Sequence, residues 1–200
     1  MRELEQIYGW VRMRKISALA FSRRFRYNRK AEILRKGGAL RLVKSICFTG
    51  HRHIPRELLP ETLKELRRVL ETAIPQGFAD FYTGGALGWD TYCAQTVLDL
   101  REEYPGIALH LVLPCSRAEQ TARWTEAQKA AYDCIYRAAD SCEFVSVDYT
   151  RDCMRLRNQR LVELADCCIC YCSEPKGRSG TAQTVRMARQ KGIPVINLAS

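Results

Sequence analysis

The sequence predicts an α/β protein with a doubly wound, mainly parallel sheet of about six strands and helices on both faces. From residue 45 onward, short β-rich runs alternate with longer segments of helical periodicity, which is the pattern of a parallel sheet with crossover helices. Glycine-rich turns also follow several of the apolar runs and precede helices. This combination is typical of Rossmann-like folds, in which ligands bind beyond the carboxyl ends of the strands.

Each predicted strand is a short apolar run bounded by turn residues. We expect strands at 45–49, 80–83, 108–113, 143–147, 167–172 and 194–198. Side chains alternate across a strand, so Cys168, Cys170 and Cys172 should point to one face and Cys167 to the other. Three thiols spaced about 7 Å apart along a line suit a tetrahedral ion poorly, and free cysteine is readily buried. The sequence therefore predicts no metal site.

The predicted helices lie between these strands. We expect helices at 61–72, 89–104, 158–165 and 181–190, and one long helix from 116 or 117 to 139. Leu63, Leu66 and Leu70 recur at helical spacing in the first of them. Pro75 and Gly77 then mark its end, because neither residue continues a helix well.

Residues 1–44, the basic leader, carry all of the excess positive charge. They contain thirteen Lys and Arg but three Glu, a net charge of +10 that equals the formal charge of the whole chain. Aromatic residues stand among the arginines, a mixture that suits nucleic acid or an anionic membrane surface. The alternatives are a flexible or helical extension, or a translation start later than Met1. We take 45–200 as the ligand-binding domain.

Cysteine content and the N-terminal sequence bear on location. The chain has ten cysteines, and its N-terminus, with Glu3 and Glu5, lacks the apolar stretch of a secretory signal. We therefore expect a cytoplasmic protein with reduced thiols and no transmembrane segment.

Three glycine turns carry the candidate ligand site. The first glycine turn is 49–52, the second is 83–90 and the third is 177–181. Glycine lets backbone N–H groups approach an anion, and the helix that follows contributes its positive N-terminal end. A single such turn also serves ordinary helix packing. Two glycine turns together with His51 and Arg52 favour a phosphate cradle.

Several side chains near these turns have both a binding and a structural interpretation. Asp90 can accept a ribose hydroxyl or cap the helix amides. Arg52 can pair with phosphate or remain a solvated surface arginine. His51 can contact phosphate, act as an acid or base, or be a plain polar loop residue.

Two pairs further along the chain also have two interpretations. Gln120 and Trp124 lie one helical turn apart, so they can form a wall for a stacked base or simply pack a long helix. Arg157 and Asn158 stand at the predicted start of a helix. There the pair can reach phosphate or ribose, or Asn158 can be a helix cap.

These motifs resemble a known family. The segments 47–52 (CFTGHR) and 84–90 (GGALGWD), with Pro114, Gln120, Trp124, Arg157-Asn158 and Gly180-Thr181, are similar to the YpsA-like branch of the SLOG superfamily. That superfamily is Rossmann-like and includes relatives of the DNA-processing protein DprA and the LOG proteins. The resemblance runs from about residue 45 to the C-terminus and does not cover the basic leader.

The resemblance implies a nucleotide or nucleotide-derived ligand, such as an ADP-ribose-like molecule, in a sensor or processing role. It implies ligand contacts from Gly50, His51, Arg52, Gly84, Gly85, Gly88, Asp90, Gly180 and Thr181. LOG enzymes carry a catalytic glutamate where this chain has Thr184. Because a hydroxyl cannot act as that acid or base, the LOG reaction is not expected. Other hydrolysis of an N-glycosidic or phosphate–ribose bond stays open, and no cofactor is assigned with certainty.

Two rival functions belong to other classes. A DprA-like protein would hold single-stranded DNA through the basic leader and the glycine turns. An interaction scaffold would keep the fold with a non-functional pocket. The sequence also leaves open a homo-oligomer.

Overall fold

Eight strands and six α-helices make up the part of the chain that the computed structural model describes, residues 33–36 and 39–199. The strands are β1 (Ile33–Lys36), β2 (Ala39–Leu42), β3 (Lys44–Gly50), β4 (Phe78–Thr83), β5 (Ala108–Leu113), β6 (Ser141–Phe144), β7 (Cys167–Tyr171) and β8 (Val195–Asn197). The helices are α1 (Leu59–Ala73), α2 (Trp89–Leu100), α3 (Arg117–Thr121), α4 (Glu126–Ala138), α5 (Cys153–Leu164) and α6 (Gly180–Lys191).

Six of the strands form one parallel sheet in the order β6-β5-β4-β3-β7-β8. The chain builds outward from β3 through β4, β5 and β6, then returns to the other side of β3 with β7 and β8. The direction of winding therefore reverses between β3 and β7. In doubly wound sheets this reversal opens a crevice at the carboxyl ends of the two strands, where ligands bind. The predicted fold class is confirmed.

The sheet is buried on both faces, which explains why its strands are short apolar runs. One face packs against α1, α2 and α4 through side chains such as Phe48, Leu66 and Trp89. The other face packs against α5 and α6. Cys168, Cys170 and Cys172 lie in the second core and Cys167 in the first, so the predicted alternation of these thiols is confirmed.

The predicted long helix from 116 or 117 to 139 is wrong, because the structure divides it into α3 and α4. Thr125 begins α4 with a capping box: its hydroxyl accepts from the Gln128 N–H at 3.3 Å, and its own N–H donates to Gln128 Oε1 at 3.0 Å. Trp124 consequently lies in the connection between the two helices and does not share a continuous helical face with Gln120.

Several other predicted boundaries are shifted, among them the end of the helix predicted at 89–104, which is Leu100. The strand expected at 143–147 is β6, which ends at Phe144 because its partner β5 ends at Leu113 and Pro114 has no N–H to extend the ladder. The helix expected at 158–165 begins at Cys153, five residues earlier. Arg157 and Asn158 are therefore interior residues of α5, and Asn158 is not a helix cap.

The basic leader is described in part. Its residues 33–36 and 39–42 form an antiparallel hairpin, with Ile33 paired to Leu42 and Lys36 to Ala39. The hairpin was not among the predicted elements. The leader aromatics Trp10, Phe21, Phe25 and Tyr27 lie outside the described residues, as does most of the predicted nucleic-acid contact. Within the described residues, every helix is too short or too polar to cross a bilayer.

Candidate functional site

The three glycine turns meet at the carboxyl edge of β3, β4 and β7. The His51 N–H donates to the Tyr171 carbonyl at 3.2 Å, which joins the first turn to the end of β7. The His51 carbonyl accepts from the Trp89 N–H at 3.2 Å, which joins the first turn to the second. The first and second turns therefore lie side by side at the point where the winding of the sheet reverses.

Helix α5 links the second turn to the third. Arg157 Nη1 donates to Asp90 Oδ2 at 3.1 Å, and Asn158 Nδ2 donates to the Gly180 carbonyl at 3.5 Å. These neighbours in sequence thus contact two different turns. Both side chains are buried, with residue exposures of 9% for Arg157 and 7% for Asn158.

Gly84 makes room for the Arg157 guanidinium. A Cβ atom built on Gly84 would overlap Arg157 Nη1, so the positive charge lies directly against the backbone of the second turn. Gly85 next to it has a φ of +63°, a conformation that side chains other than glycine rarely adopt. The second turn is therefore shaped both by its own backbone and by the arginine behind it.

Gly50 and Gly88 have packing roles. A Cβ atom on Gly50 would overlap the Trp89 indole, which is completely buried. A Cβ atom on Gly88 would overlap the carbonyl of Arg52, and Gly88 has a φ of +78°. At these two positions the absence of a side chain serves the contact between the first and second turns.

Asp90 holds the second turn closed. Its Oδ2 accepts from the Ala86 N–H at 3.2 Å as well as from Arg157, and its residue exposure is 3%. Burial raises the pKa of the Asp90 carboxyl, while Arg157 and the amides of Ala86 and Gly84 oppose that rise. Asp90 is not the N-cap of α2, because Gly88 occupies that position, but its carboxylate does accept a backbone N–H of the second turn.

Arg157 is incompletely partnered. Nη2 contacts only the Met154 sulfur, at 3.9 Å, and the buried Nε has no hydrogen-bond partner among the described residues. The buried Trp89 Nε1 also lacks a partner in the described part of the chain. Buried N–H donors without partners are costly, so an acceptor that reached the Arg157 guanidinium would be stabilised there; Arg117 Nε is a third such donor within the described residues.

The third turn presents the N-terminus of α6. Ser179 Oγ caps this helix by accepting from the Ala182 N–H at 3.1 Å. The N–H groups of Gly180 and Thr181 have no acceptor within the described residues, so they are available to an anion. Thr184 is fully buried, and its hydroxyl donates to the Gly180 carbonyl at 2.9 Å.

His51 and Arg52 differ in their surroundings. The Ser173 N–H donates to His51 Nε2 at 3.2 Å, so in this arrangement Nε2 is the unprotonated ring nitrogen. The Arg52 side chain is exposed and has no ion-pair partner among the described residues. Its position next to the crevice leaves it available to a negatively charged ligand.

Gln120 and Trp124 meet through a third side chain. Gln120 Nε2 donates to the Gly85 carbonyl at 2.8 Å, which fixes α3 to the second turn. The Tyr132 hydroxyl lies 3.5 Å from Gln120 Oε1, and its ring packs edge-on against Trp124 at a centroid distance of 5.4 Å. Gln120 thus supports the turn, and Trp124 is half-buried beside it.

Two adjacent cysteines of β7 have raised thiol pKa values. Burial raises the pKa of Cys167 to about 11, and a hydrogen bond with Cys47 together with burial raises the pKa of Cys168. In the ranges that the structure describes, no group of three His, Cys, Asp or Glu side chains could hold a metal ion.

Comparison with known proteins agrees with this architecture. The YpsA family model, described as the YspA SLOG family, matches residues 56–197. The chain belongs to the SLOG family. A UPF0398 protein of Bacillus pumilus (strain SAFR-032) is 34% identical to this SLOG protein over 113 residues, covering 52% of the chain and 59% of that relative. A UPF0398 protein of Bacillus cereus (strain G9842) is 28% identical over 131 residues, covering 64% and 70%.

A solved structure shares the SLOG fold. DNA processing protein A from Helicobacter pylori, described for its single-stranded DNA binding mode, superposes with a TM-score of 0.51 and 17% identity. The superposition covers 77% of this chain and 64% of that one. At this level of identity the likeness concerns the fold alone.

Trp89, Ser173 and Ser179 also lie at the candidate site of this SLOG protein, but they were not among the predicted site residues. The sequence did indicate a role for Ser179, because serine directly before a helical segment is a common N-cap. Trp89 was visible in the glycine motif, but nothing in the sequence tied it to Gly50. Ser173 contacts a residue 122 positions away, a separation that sequence spacing cannot bridge.

Proposed function

We propose that the chain binds a phosphate-bearing nucleotide or nucleotide-derived ligand in the crevice between the three glycine turns. The proposal includes a cytoplasmic location and a sensor or processing role. The family assignment and the ligand-binding position of the crevice in doubly wound folds support it.

The observation that carries the proposal is the buried guanidinium of Arg157. Within the described residues its Nη1 pairs with the Asp90 carboxylate, and its Nε and Nη2 lack oxygen acceptors. A guanidinium binds phosphate oxygens through paired N–H groups in a plane, and it stays charged even when buried. A phosphate group would supply the missing acceptors.

Two further features of the crevice favour an anion. The Gly180 and Thr181 amides begin a helix of 12 residues, whose dipole places partial positive charge at that end. Arg52 adds a solvent-exposed positive charge after β3. Together these groups supply positive charge from α5, α6 and the first turn, an arrangement that suits a ligand with more than one phosphate oxygen.

The proposal predicts that Gly84→Ala weakens nucleotide binding about tenfold or more, a loss of about 1.4 kcal/mol or more. The added methyl group would overlap Arg157 Nη1 and displace the guanidinium from the turn. Mass spectrometry of molecules that copurify with the chain would identify the ligand. Calorimetry with AMP, ADP, ADP-ribose and NAD would then give the affinities of the wild type and the variant.

Gly106→Ala is the matched control. A Cβ atom on Gly106 would have no atom within 4 Å, and Gly106 lies before β5, at the opposite edge of the sheet. It should bind as the wild type does. Equal affinity for the Gly84 and Gly106 variants would contradict a site beside Arg157, and the absence of any bound nucleotide would favour the scaffold alternative.

Single-stranded DNA is a second candidate, because the excess charge of +10 resides in the basic leader and a protein of the same fold is described as binding it. Phosphate contacts by lysine and arginine release counterions, so such binding falls steeply with salt. Salt-sensitive binding of a single-stranded oligonucleotide by the full chain would favour DNA. Nucleotide binding that tolerates salt would favour the small ligand.

A further inference from the structure

The carboxylate of Asp90 pairs with the guanidinium of Arg157, the group that the proposed ligand would also bind. Asp90 Oδ2 lies 3.1 Å from Arg157 Nη1, and the pair is almost completely buried, with side-chain exposures of 4% and 10%. Buried ions gain most of their stabilisation from their direct partner, because water does not screen them. A second anion at Arg157 therefore places two negative charges on one positive charge.

Among the groups packed around the Asp90 carboxylate, the one that carries a formal charge is Arg157 of α5. The second turn offers the N–H groups of Gly84 and Ala86, and β4 offers the Thr83 hydroxyl, which donates to the Asp90 carbonyl. Cys93 on the same helix is neutral, because burial, and after it the charge of Asp90, raises the pKa of its thiol. None of these neutral groups adds a formal positive charge beside Asp90, and the charge of Arg52 in the first turn is exposed and therefore screened by water.

We infer that the ligand and Asp90 compete for Arg157, so that Asp90 takes up one proton from solvent when the site binds its anionic ligand. This inference rests on the proposed function and adds its regulation by pH. Protonation turns the carboxylate into a neutral carboxyl group, which leaves the charge of Arg157 to the ligand. Asp90 thereby sets the affinity of the site.

The direction of the pH dependence follows from the two states. In the ligand-free protein burial raises the pKa of Asp90 and Arg157 opposes the rise. A bound anion partly neutralises the charge of Arg157, which then stabilises the Asp90 carboxylate less, and the anion also repels that carboxylate. The pKa of Asp90 is therefore higher in the complex. Affinity should therefore increase as pH falls between the bound and the free pKa, by at most about tenfold per pH unit for one proton.

Calorimetry of the full chain with ADP-ribose tests this inference. Each phosphate of ADP-ribose carries one ester and one anhydride linkage and a single strongly acidic hydroxyl. Neither phosphate therefore titrates near neutral pH, and a proton taken up on binding is bound by the protein. Titrations at one pH in two buffers of different ionisation enthalpy give the number of protons. We expect proton uptake approaching one in the wild type and none in Asp90→Asn, whose affinity should be independent of pH.

Asp99→Asn is the matched control, because Asp99 lies near the other end of α2 and bonds to Gln95. It should keep the proton uptake of the wild type. Binding without proton uptake in the wild type would overturn the inference and leave the proposed function in place. Absence of ADP-ribose binding, together with no binding of the other nucleotides, would overturn both. Absence of proton uptake in the wild type overturns the inference even if Asp90→Asn fails to fold.

Discussion

Replacing Arg157 by methionine is expected to lower the free energy of unfolding by about 3–5 kcal/mol, because it leaves a buried carboxylate without its partner. Asp90 has an exposure of 3%, and the remaining donors to it are backbone amides. Methionine approximates the length of the arginine stem, so little of the loss should come from packing. Urea denaturation of the wild type and the variant would measure the difference.

The double variant Asp90→Asn with Arg157→Met should recover a large part of this loss. Removing both charges of a buried pair costs less than removing one, since no charge is left unpaired. Arg160→Met is the matched control: Arg160 lies on the same helix and pairs with Glu143, but both side chains are more than one-third exposed. Exposed pairs contribute about 1 kcal/mol or less. Losses of equal size for Arg157→Met and Arg160→Met would contradict a dominant buried pair.

The loss in Arg157→Met should also depend on pH. Burial raises the pKa of Asp90 in the folded protein, and removing Arg157 takes away the main opposing charge. For an acid with a raised folded-state pKa, the destabilisation is absent below the unfolded-state pKa and grows until the pH exceeds the folded-state pKa. The variant should therefore be closer to the wild type in stability at pH 5 than at pH 8.

Sequence patterns predicted the strands well because both faces of the parallel sheet are buried. Runs such as 108–113 are short and apolar for that reason, and the alternation of the cysteines at 167–172 followed from strand geometry alone. The two errors in the helices arose where local signals conflict. Thr125 and Gln128 form a capping box within a region of continuous helical propensity, and Asp152 begins α5 without a side-chain cap.

The candidate site was predicted less completely than the fold. Placement of the three turns at one edge followed from their positions after strands of a parallel sheet. The pairing of Asp90 with Arg157 spans 67 residues and depends on α5 crossing behind the second turn, which spacing does not encode. A glycine in a turn also has several physical explanations. Only the three-dimensional structure distinguishes a glycine whose backbone approaches an anion from a glycine that makes room for a neighbouring aromatic ring.

Gly50 illustrates this distinction, and Gly50→Ala is expected to cost about 1–3 kcal/mol of unfolding free energy through overpacking. The new methyl group would overlap the indole of Trp89. That indole cannot move aside easily, because the ring is fully buried and packs on Tyr171 at a centroid distance of 5.7 Å. The backbone of Trp89 is also fixed, since its N–H donates to the His51 carbonyl. Thermal or urea denaturation would measure the cost, with Gly106→Ala expected to stay within about 0.5 kcal/mol of the wild type.

A double-mutant cycle assigns the cost of Gly50→Ala to the indole. Trp89→Gly alone should destabilise the protein, since it removes a fully buried side chain and leaves a cavity in the core. In that background all the Trp89 side-chain atoms that a Cβ at position 50 would overlap are absent, so adding Gly50→Ala should cost clearly less than it does in the wild type. An equal cost in both backgrounds would mean that Gly50 is required by the backbone of the turn. The interpretation of Gly50 as part of a phosphate cradle would then be favoured. Glycine would in that case be needed for the backbone conformation of the turn, and the N–H groups of the turn would be free to face a ligand.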